Sequence, residues 1–282
     1  MTISVLRNHF RKELSELYTE SESDFIFSIF AEKVLNFSLV EQRINADKEI
    51  ESADLKIFQN QLLELLEGKP YQQIIGETEF YGALFKVNKH TLIPRPETEE
   101  LLEIAINDIK NSTLATKEFK VLEIGSGSGI IPITLKRFFP SAVITSIDFS
   151  EDALLVAKQN AEIHKTEIRF VLEDYLQLEL QENYDVIISN PPYIGKEEEI
   201  EIENSVKDFE PTMALFSPTE DALIFYRKIA KDALKHLNKE GFIFLEINQK
   251  LGKQTTELYS EFPQVQLIKD LSNNDRFVRV KN

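Results

Sequence analysis

Apolar positions along the chain follow two rhythms. Through Gly68 they recur every three to four residues, at Leu6, Phe10, Leu14 and Leu17, again between Phe25 and Leu39, and again at Leu55, Phe58, Leu62, Leu65 and Leu66. That spacing lines one face of a helix. Ser21, Ser23 and Asp24 are placed to cap the second of these helices, and Gly68 followed by Pro70 closes the last. From Phe119 onward, short apolar runs alternate with helical stretches. Phe119–Ile124, Ala142–Ile147, Ile168–Leu172, Tyr184–Ser189 and Gly241–Ile247 read as buried strands, and Val265–Ile268 with Arg276–Val280 as a closing hairpin. Helices are expected over 130–139, 151–163, 220–237 and 252–259. Such alternation predicts an α/β fold, a mostly parallel seven-stranded sheet covered on both faces, with ligands at the carboxyl ends of the strands.

Between the two rhythms, Glu79-Phe80-Tyr81 and Leu84–Val87 flank Gly82-Ala83, which reads as a β-hairpin linker. Next, Thr91-Leu92-Ile93-Pro94-Arg95-Pro96-Glu97-Thr98-Glu99 is stiffened by alternate prolines. Pro96 is suited to open the helix that runs through Leu101, Leu102 and Ile106, and Glu97, Glu99 and Glu100 favour its positive end. The expected division is a helical domain over 1–70, a hairpin linker over 71–96 and the sheet domain over 97–282.

Composition narrows the function. The net charge of −16 opposes a phosphate backbone, and the first 70 residues carry eight basic against thirteen acidic side chains, so direct nucleic-acid binding is disfavoured. With no cysteine there is neither a disulfide frame nor a thiolate nucleophile. His9, His90, His164 and His236 are scattered, and no metal site is expected. No run of about 18 apolar residues exists, and Arg7, Arg11 and Lys12 interrupt the N-terminus, so the expectation is a cytoplasmic protein without a membrane segment.

The candidate chemistry falls at predicted strand ends. After Phe119–Ile124 comes Gly125-Ser126-Gly127-Ser128-Gly129 and then a helix; glycines let backbone approach a ligand, and a helix N-terminus presents free N–H groups. Ile130 stands where a dinucleotide loop wants a small residue, and no Gly-Lys-Ser/Thr follows, which disfavours nicotinamide, flavin and triphosphate ligands. A Gly-x-Gly-x-Gly turn after the acidic Glu123 resembles instead the first motif of methyltransferases that use S-adenosyl-L-methionine (SAM). Asp148, at the tip of the second strand, is placed to accept from both ribose hydroxyls. Asp174 is placed to accept from the adenine amine with Tyr175 as a stacking neighbour, although the adjacent Glu173 is open to the same role.

The run Tyr184–Ser189 is stopped by Asn190-Pro191-Pro192-Tyr193, since neither proline donates to a sheet ladder. Asn190 and Pro191 are each held extended by the proline that follows. The Asn190 side-chain oxygen and the Pro191 carbonyl thus form two fixed acceptors, with the Tyr193 ring as a flat wall, an arrangement suited to a planar NH2 group. A tight loop whose tyrosine merely packs is the plainer alternative. The four residues resemble the Asn-Pro-Pro-Tyr motif of enzymes that methylate the exocyclic amine of adenine or the side-chain amide of glutamine.

The 91–99 segment, the 125–129 loop, Asn190-Pro191-Pro192-Tyr193-Ile194 and Phe209-Glu210-Pro211 together resemble, in order and spacing, the bacterial protein-(glutamine-N5) methyltransferases of the PrmC/HemK type, which modify peptide chain release factors. The likeness runs from about Tyr71 to the C-terminus. Glu123 departs from it, since the family more often has Asp there. The resemblance implies a Rossmann-like class I SAM-dependent methyltransferase fold and conversion of SAM to S-adenosyl-L-homocysteine. As substrate it implies the glutamine of the Gly-Gly-Gln loop in class-one release factors. It gives the cofactor Glu123, Gly125, Ser126, Gly127, Ser128, Gly129, Asp148, Asp174, Tyr175 and Asn190, and the amide Asn190, Pro191, Pro192 and Tyr193. A monomer is expected. Adenine methylation of DNA or RNA is the alternative the two acceptors equally fit, and a non-catalytic SAM-binding protein is a third. The glutamate run from Lys196 to Glu203 is expected as a solvated loop near the substrate entrance.

Overall fold

The computed structural model describes residues 1–194 and 208–282, and the expected glutamate-rich loop lies outside them. The described residues divide into two compact units, 1–76 with 208–209, and 77–194 with 210–282.

The first unit is helical: α1 (Ile3–Glu13), α2 (Glu20–Leu35), α3 (Leu39–Ile44), α4 (Ser52–Leu66) and α5 (Tyr71–Ile75). Its core gathers the periodic positions, with Leu6, Phe10, Phe27, Phe30, Phe58 and Leu65 all buried. Burying an aromatic or leucine side chain in this way contributes about 1.5–3 kcal/mol each. Thr19, rather than Ser21, Ser23 or Asp24, caps α2. Its side chain accepts from Glu22 N–H while Glu22 returns a bond to the Thr19 backbone, a reciprocal box that satisfies two otherwise unpaired donors. Gly68 follows α4 with φ +89°, the left-handed stop that glycine adopts without strain.

The second unit opens with the hairpin β1 (Glu77–Phe80) and β2 (Ala83–Lys86). This expected linker packs into the unit itself, for Phe80 and Phe85 are buried in its core. Then come α6 (Pro96–Lys110), β3 (Phe119–Ile124), α7 (Ile130–Phe138), β4 (Ala142–Asp148), α8 (Glu151–Ile163), β5 (Arg169–Leu172) and β6 (Tyr184–Ser189). The described chain resumes before α9 (Thr212–Leu215), α10 (Ile224–His236), β7 (Leu237–Glu246), α11 (Gly252–Glu257), β8 (Gln264–Lys269) and β9 (Asp275–Lys281). The second sheet has seven strands in the order β5-β4-β3-β6-β7-β9-β8. Neighbours from β5 to β7 pair parallel, and β9 pairs antiparallel to both β7 and β8.

Alternation along the strands makes two cores. Val121, Ile144, Val186, Ile188 and Phe244 face one side of the sheet, and Leu122, Ile124, Ile147, Ile187 and Leu245 the other. Strand order reverses between β3 and β6, the switch point where an open α/β sheet leaves a crevice beyond its carboxyl edge. β7 begins four residues before the predicted Gly241, because Leu237 follows α10 directly and its register with β6 is broken by a bulge.

Candidate active site

A cleft of about 300 Å³ opens at the carboxyl ends of β3, β4 and β6. One wall is the 125–129 loop, and here the glycines have separable reasons. At Gly127 (φ +51°) a Cβ would meet nothing within 4 Å, so the backbone borders open space. At Gly129 (φ +80°) a Cβ would sit 3.1 Å from Ala157 Cβ and from Ile133 Cδ1, so glycine lets α7 approach α8. Gly129 is the N-cap of α7 and gives no side-chain bond, which leaves first-turn N–H groups available.

Asp148 ends β4 with both oxygens engaged: Oδ2 accepts from Gly127 N–H at 2.9 Å and Oδ1 from Ser150 N–H at 2.8 Å. Burial raises its pKa against these bonds. Beneath the loop, Ser146 donates to Glu123 Oε2 and is itself bonded to Ser126. Glu123 Oε1 and Ser128 Oγ are buried in the cleft wall without a partner among the described residues. Desolvation holds the Glu123 carboxyl well above its ordinary range.

Beyond β5, Asp174 is half-buried and its Oδ1 accepts from Leu176 N–H at 3.0 Å, while Glu173 is exposed; both border the cleft. Tyr175 also borders the cleft, although it is only 4 % exposed. Its ring is buried in the core, its hydroxyl donates to Asp232 Oδ2 at 2.9 Å, and Lys228 Nζ lies 4.8 Å from the ring centroid. The exposed ring on that side of the cleft belongs to Phe149.

The opposite wall holds Asn190, Pro191 and Pro192. Asn190 Nδ2 donates to Thr98 Oγ1 at 3.1 Å, and Thr98 donates to Glu246 Oε2 at 2.8 Å. Tyr193 is not part of the cleft lining. It packs against the core, and its hydroxyl faces Glu246 Oε1 at 3.4 Å, so the expected flat wall is turned toward the carboxylate. Tyr226 fixes the same residue by donating to the Glu246 carbonyl at 3.0 Å. Burial pushes Glu246 up to about 7, opposed by the Thr98 hydrogen bond and the positive charge of Arg276.

Two motifs of unstated purpose are tied together by one side chain. Glu210, 4 % exposed, accepts from Arg95 at 2.6 Å and from Ile93 N–H at 2.9 Å, fastening the 91–96 segment to the turn before α9. The structure thus brings together the glycine loop, Asp148, Asp174, Asn190 and Pro191 around one cleft. Sequence reasoning missed Thr98, Glu246, Phe149 and Glu210 as parts of it. For Glu246 a signal existed: it is the one charged residue in the apolar run 242–247.

Residues 6–76 match the family model described as the PrmC N-terminal domain, and residues 107–207 that described as the methyltransferase small domain. The release factor glutamine methyltransferase of Flavobacterium psychrophilum is 41 % identical, with 99 % of each chain covered. Its counterpart from Streptococcus pneumoniae is 36 % identical over 99 % of this chain and 98 % of that one. Among solved structures, a methyltransferase from Pyrococcus furiosus (TM-score 0.50, 17 % identity) covers 79 % of this chain and 98 % of its own. A Thermus thermophilus 16S rRNA methyltransferase solved with SAM and guanosine (TM-score 0.51, 17 % identity) covers 73 % and 49 %. These two likenesses speak to the fold alone. Identity at this level along the full length of both chains, on the fold and site just described, shows that the chain belongs to the release factor glutamine methyltransferase family.

Proposed function

We propose that the protein methylates the side-chain amide nitrogen (N5) of the glutamine in the Gly-Gly-Gln loop of class-one peptide chain release factors, using SAM. The observation that carries this reading is the meeting of a glycine-loop cleft and the Asn190 and Pro191 acceptors on one rim.

The cleft suits SAM in its donor set. Glu123 Oε1, buried and unpartnered, matches a cationic ammonium, and an ammonium there would offset the desolvation that now disfavours its charge. The open space beside Gly127 and the N–H groups at the start of α7 suit the methionine carboxylate. Asp148 retains lone pairs for ribose hydroxyls, Asp174 borders the adenine side, and Phe149 offers an aromatic face. When bound, SAM supplies an electrophilic methyl on a sulfonium and leaves as S-adenosyl-L-homocysteine.

An amide nitrogen is a poor nucleophile because its lone pair is delocalised into the carbonyl. Asn190 Oδ1 and the Pro191 carbonyl have no hydrogen-bond donor among the described residues, so each is free to accept one N–H of the substrate amide. Two fixed acceptors orient the NH2 group and favour its pyramidal form, in which the lone pair becomes available. After transfer the nitrogen is acidic and its proton leaves to water. The helical unit at the N-terminus is the candidate for recognising the release factor. Release factors act in the cytoplasm, and among the described residues no helix is long and apolar enough to cross a membrane. The protein acts as a monomer, and its charge of −16 argues against nucleic acid as substrate.

Methyl transfer from labelled SAM to a purified release factor tests this reading, beside a Gln→Ala variant of its Gly-Gly-Gln loop and a DNA control. Label on the wild-type factor alone is expected. Equal label on the variant, or label on DNA, sinks it.

A further inference from the structure

Asn190 is useful only in one of its two orientations. With its oxygen toward the cleft it accepts from a substrate NH2; turned by half a rotation it presents a second NH2 and repels the first. The two orientations have nearly the same shape, so packing distinguishes them poorly, and hydrogen bonding has to decide.

The decision is written in the chain of partners behind Asn190. Thr98 and Glu246 are 2 % and 1 % exposed, so water is kept from bridging these contacts. An ionised carboxylate accepts and cannot donate, and a threonine hydroxyl has a single proton. Thr98 gives that proton to Glu246 Oε2, and toward Asn190 it can therefore only accept. The group that meets it has to be the Asn190 NH2, at 3.1 Å, which sends Oδ1 the other way. Burial, and to a lesser degree Glu97, opposes the charged form of Glu246, while the Thr98 hydrogen bond, Arg276 and the Tyr193 hydroxyl favour it, so the arrangement holds where the carboxyl is ionised. We propose that Thr98 and Glu246 are positioning residues for methyl transfer: together they set the direction of the Asn190 amide so that its oxygen, and not its NH2, faces the cleft.

The proposal rests on the reading of Asn190 as acceptor for the substrate amide, and it gives a purpose to the threonine in the proline-stiffened 91–99 segment. Arg95, held by the buried Glu210, and Pro96 at the first position of α6 fix the backbone that carries Thr98.

The experiment compares Thr98→Val, which keeps shape and removes the hydroxyl, with Thr98→Ser, which restores it, on the full chain with SAM and a release factor. Thr98→Val is expected to lower kcat about tenfold or more, with the Kd for SAM within about twofold, and Thr98→Ser to recover kcat to within about threefold of wild type. In an Asn190→Ala background, Thr98→Val should slow the residual rate no further, because nothing remains to be oriented. Unchanged kcat in Thr98→Val, a Thr98→Ser enzyme as slow as Thr98→Val, or a full additional loss in the double variant overturns the proposal. If Thr98→Val fails to bind SAM, Glu246→Gln takes its place. Its amide offers donor and acceptor alike and ceases to dictate direction, so kcat should fall about three- to tenfold, and an unchanged kcat overturns the idea. An Asn190→Ala enzyme with wild-type turnover would instead sink the underlying assignment of Asn190.

Discussion

The two walls of the cleft reach the same end, a set of fixed polar groups, by opposite means. On the glycine-loop side the ligand-facing groups are largely backbone, shaped by five consecutive residues and by one carboxylate, Asp148, that braces Gly127. On the Asn190 side a single side-chain amide is aimed by Thr98, 92 positions before it, and by Glu246, which stands 148 positions from Thr98 on the far side of Asn190 in sequence. The first wall depends on what the main chain can adopt, and the second on which atoms donate. Substitutions should therefore separate them: changes of backbone freedom should remove cofactor binding, and changes of hydrogen-bonding sense should remove turnover alone.

The sharpest separation is expected from Asn190→Ala. Losing one preorganised polar group at the reacting atoms costs about 10²–10³-fold in rate. Methyl transfer should fall by that factor while SAM affinity, measured by calorimetry, stays within about threefold. A parallel loss of SAM binding would mean that the two walls are one structure.

On the other wall, Gly129→Val combines a left-handed φ with a Cβ placed 3.1 Å from Ala157. Strain and overpacking of this kind each cost about 1–3 kcal/mol, so denaturant unfolding should show a loss of about 2–6 kcal/mol along with loss of SAM binding. A stable variant that still binds SAM would show that the loop has more slack than its geometry implies.

The same contrast explains what could be read without coordinates. Phe119–Ile124, the glycine loop and Asp148 were legible because strand period, turn chemistry and strand-end position are all local signals. Asn190 and Pro191 were legible because prolines restrict their own neighbours. Thr98 and Glu246 were not, since a threonine in a first helical turn and a glutamate at a strand end gain meaning only when the parallel sheet brings β7 beside β6 and α6 against β7. The cap of α2 was misplaced by a few residues because several small polar side chains compete there, and the reciprocal bond between Thr19 and Glu22 decides among them.

Glu246→Gln probes the cost of aiming an amide with a buried charge. Burial raises this carboxyl from its ordinary 4.5 to about 7. The native state therefore binds more protons than the unfolded chain across that window, and its relative stability declines as pH rises through it. Above pH 7 the charge costs about 3 kcal/mol, from about 1.4 kcal/mol per pH unit. Glu246→Gln should thus gain about 1–3 kcal/mol in unfolding free energy at pH 8 and little at pH 5, yet turn over more slowly. Wild-type kcat should also fall as pH drops through about 7, since a protonated Glu246 can donate to Thr98 and reverse the chain of partners. A variant destabilised at pH 8 would show that Thr98, Tyr193 and Arg276 more than compensate the burial.

The smallest effects should come from the two aromatic residues on the adenine side, and they test where the first wall ends. Phe149 is 62 % exposed and borders the cleft, whereas the Tyr175 hydroxyl is committed to Asp232 within the core. A base stacked on an aromatic ring gains about 1–3 kcal/mol, and a ring this exposed falls in the lower part of that range, about 1–2 kcal/mol, so Phe149→Ala should weaken SAM binding about fivefold to thirtyfold with little change in stability. Tyr175→Phe keeps the ring and strands Asp232 Oδ2 with one partner fewer, which should cost about 1–2 kcal/mol of stability and leave SAM affinity within about twofold. The ion pair from Lys228 to the same Asp232 oxygen, at 2.5 Å, limits the loss. Were Phe149→Ala to leave SAM binding unchanged, the stacking surface would belong to the segment after β5, where Tyr175 also borders the cleft, and the cofactor wall would extend beyond the loop after β4.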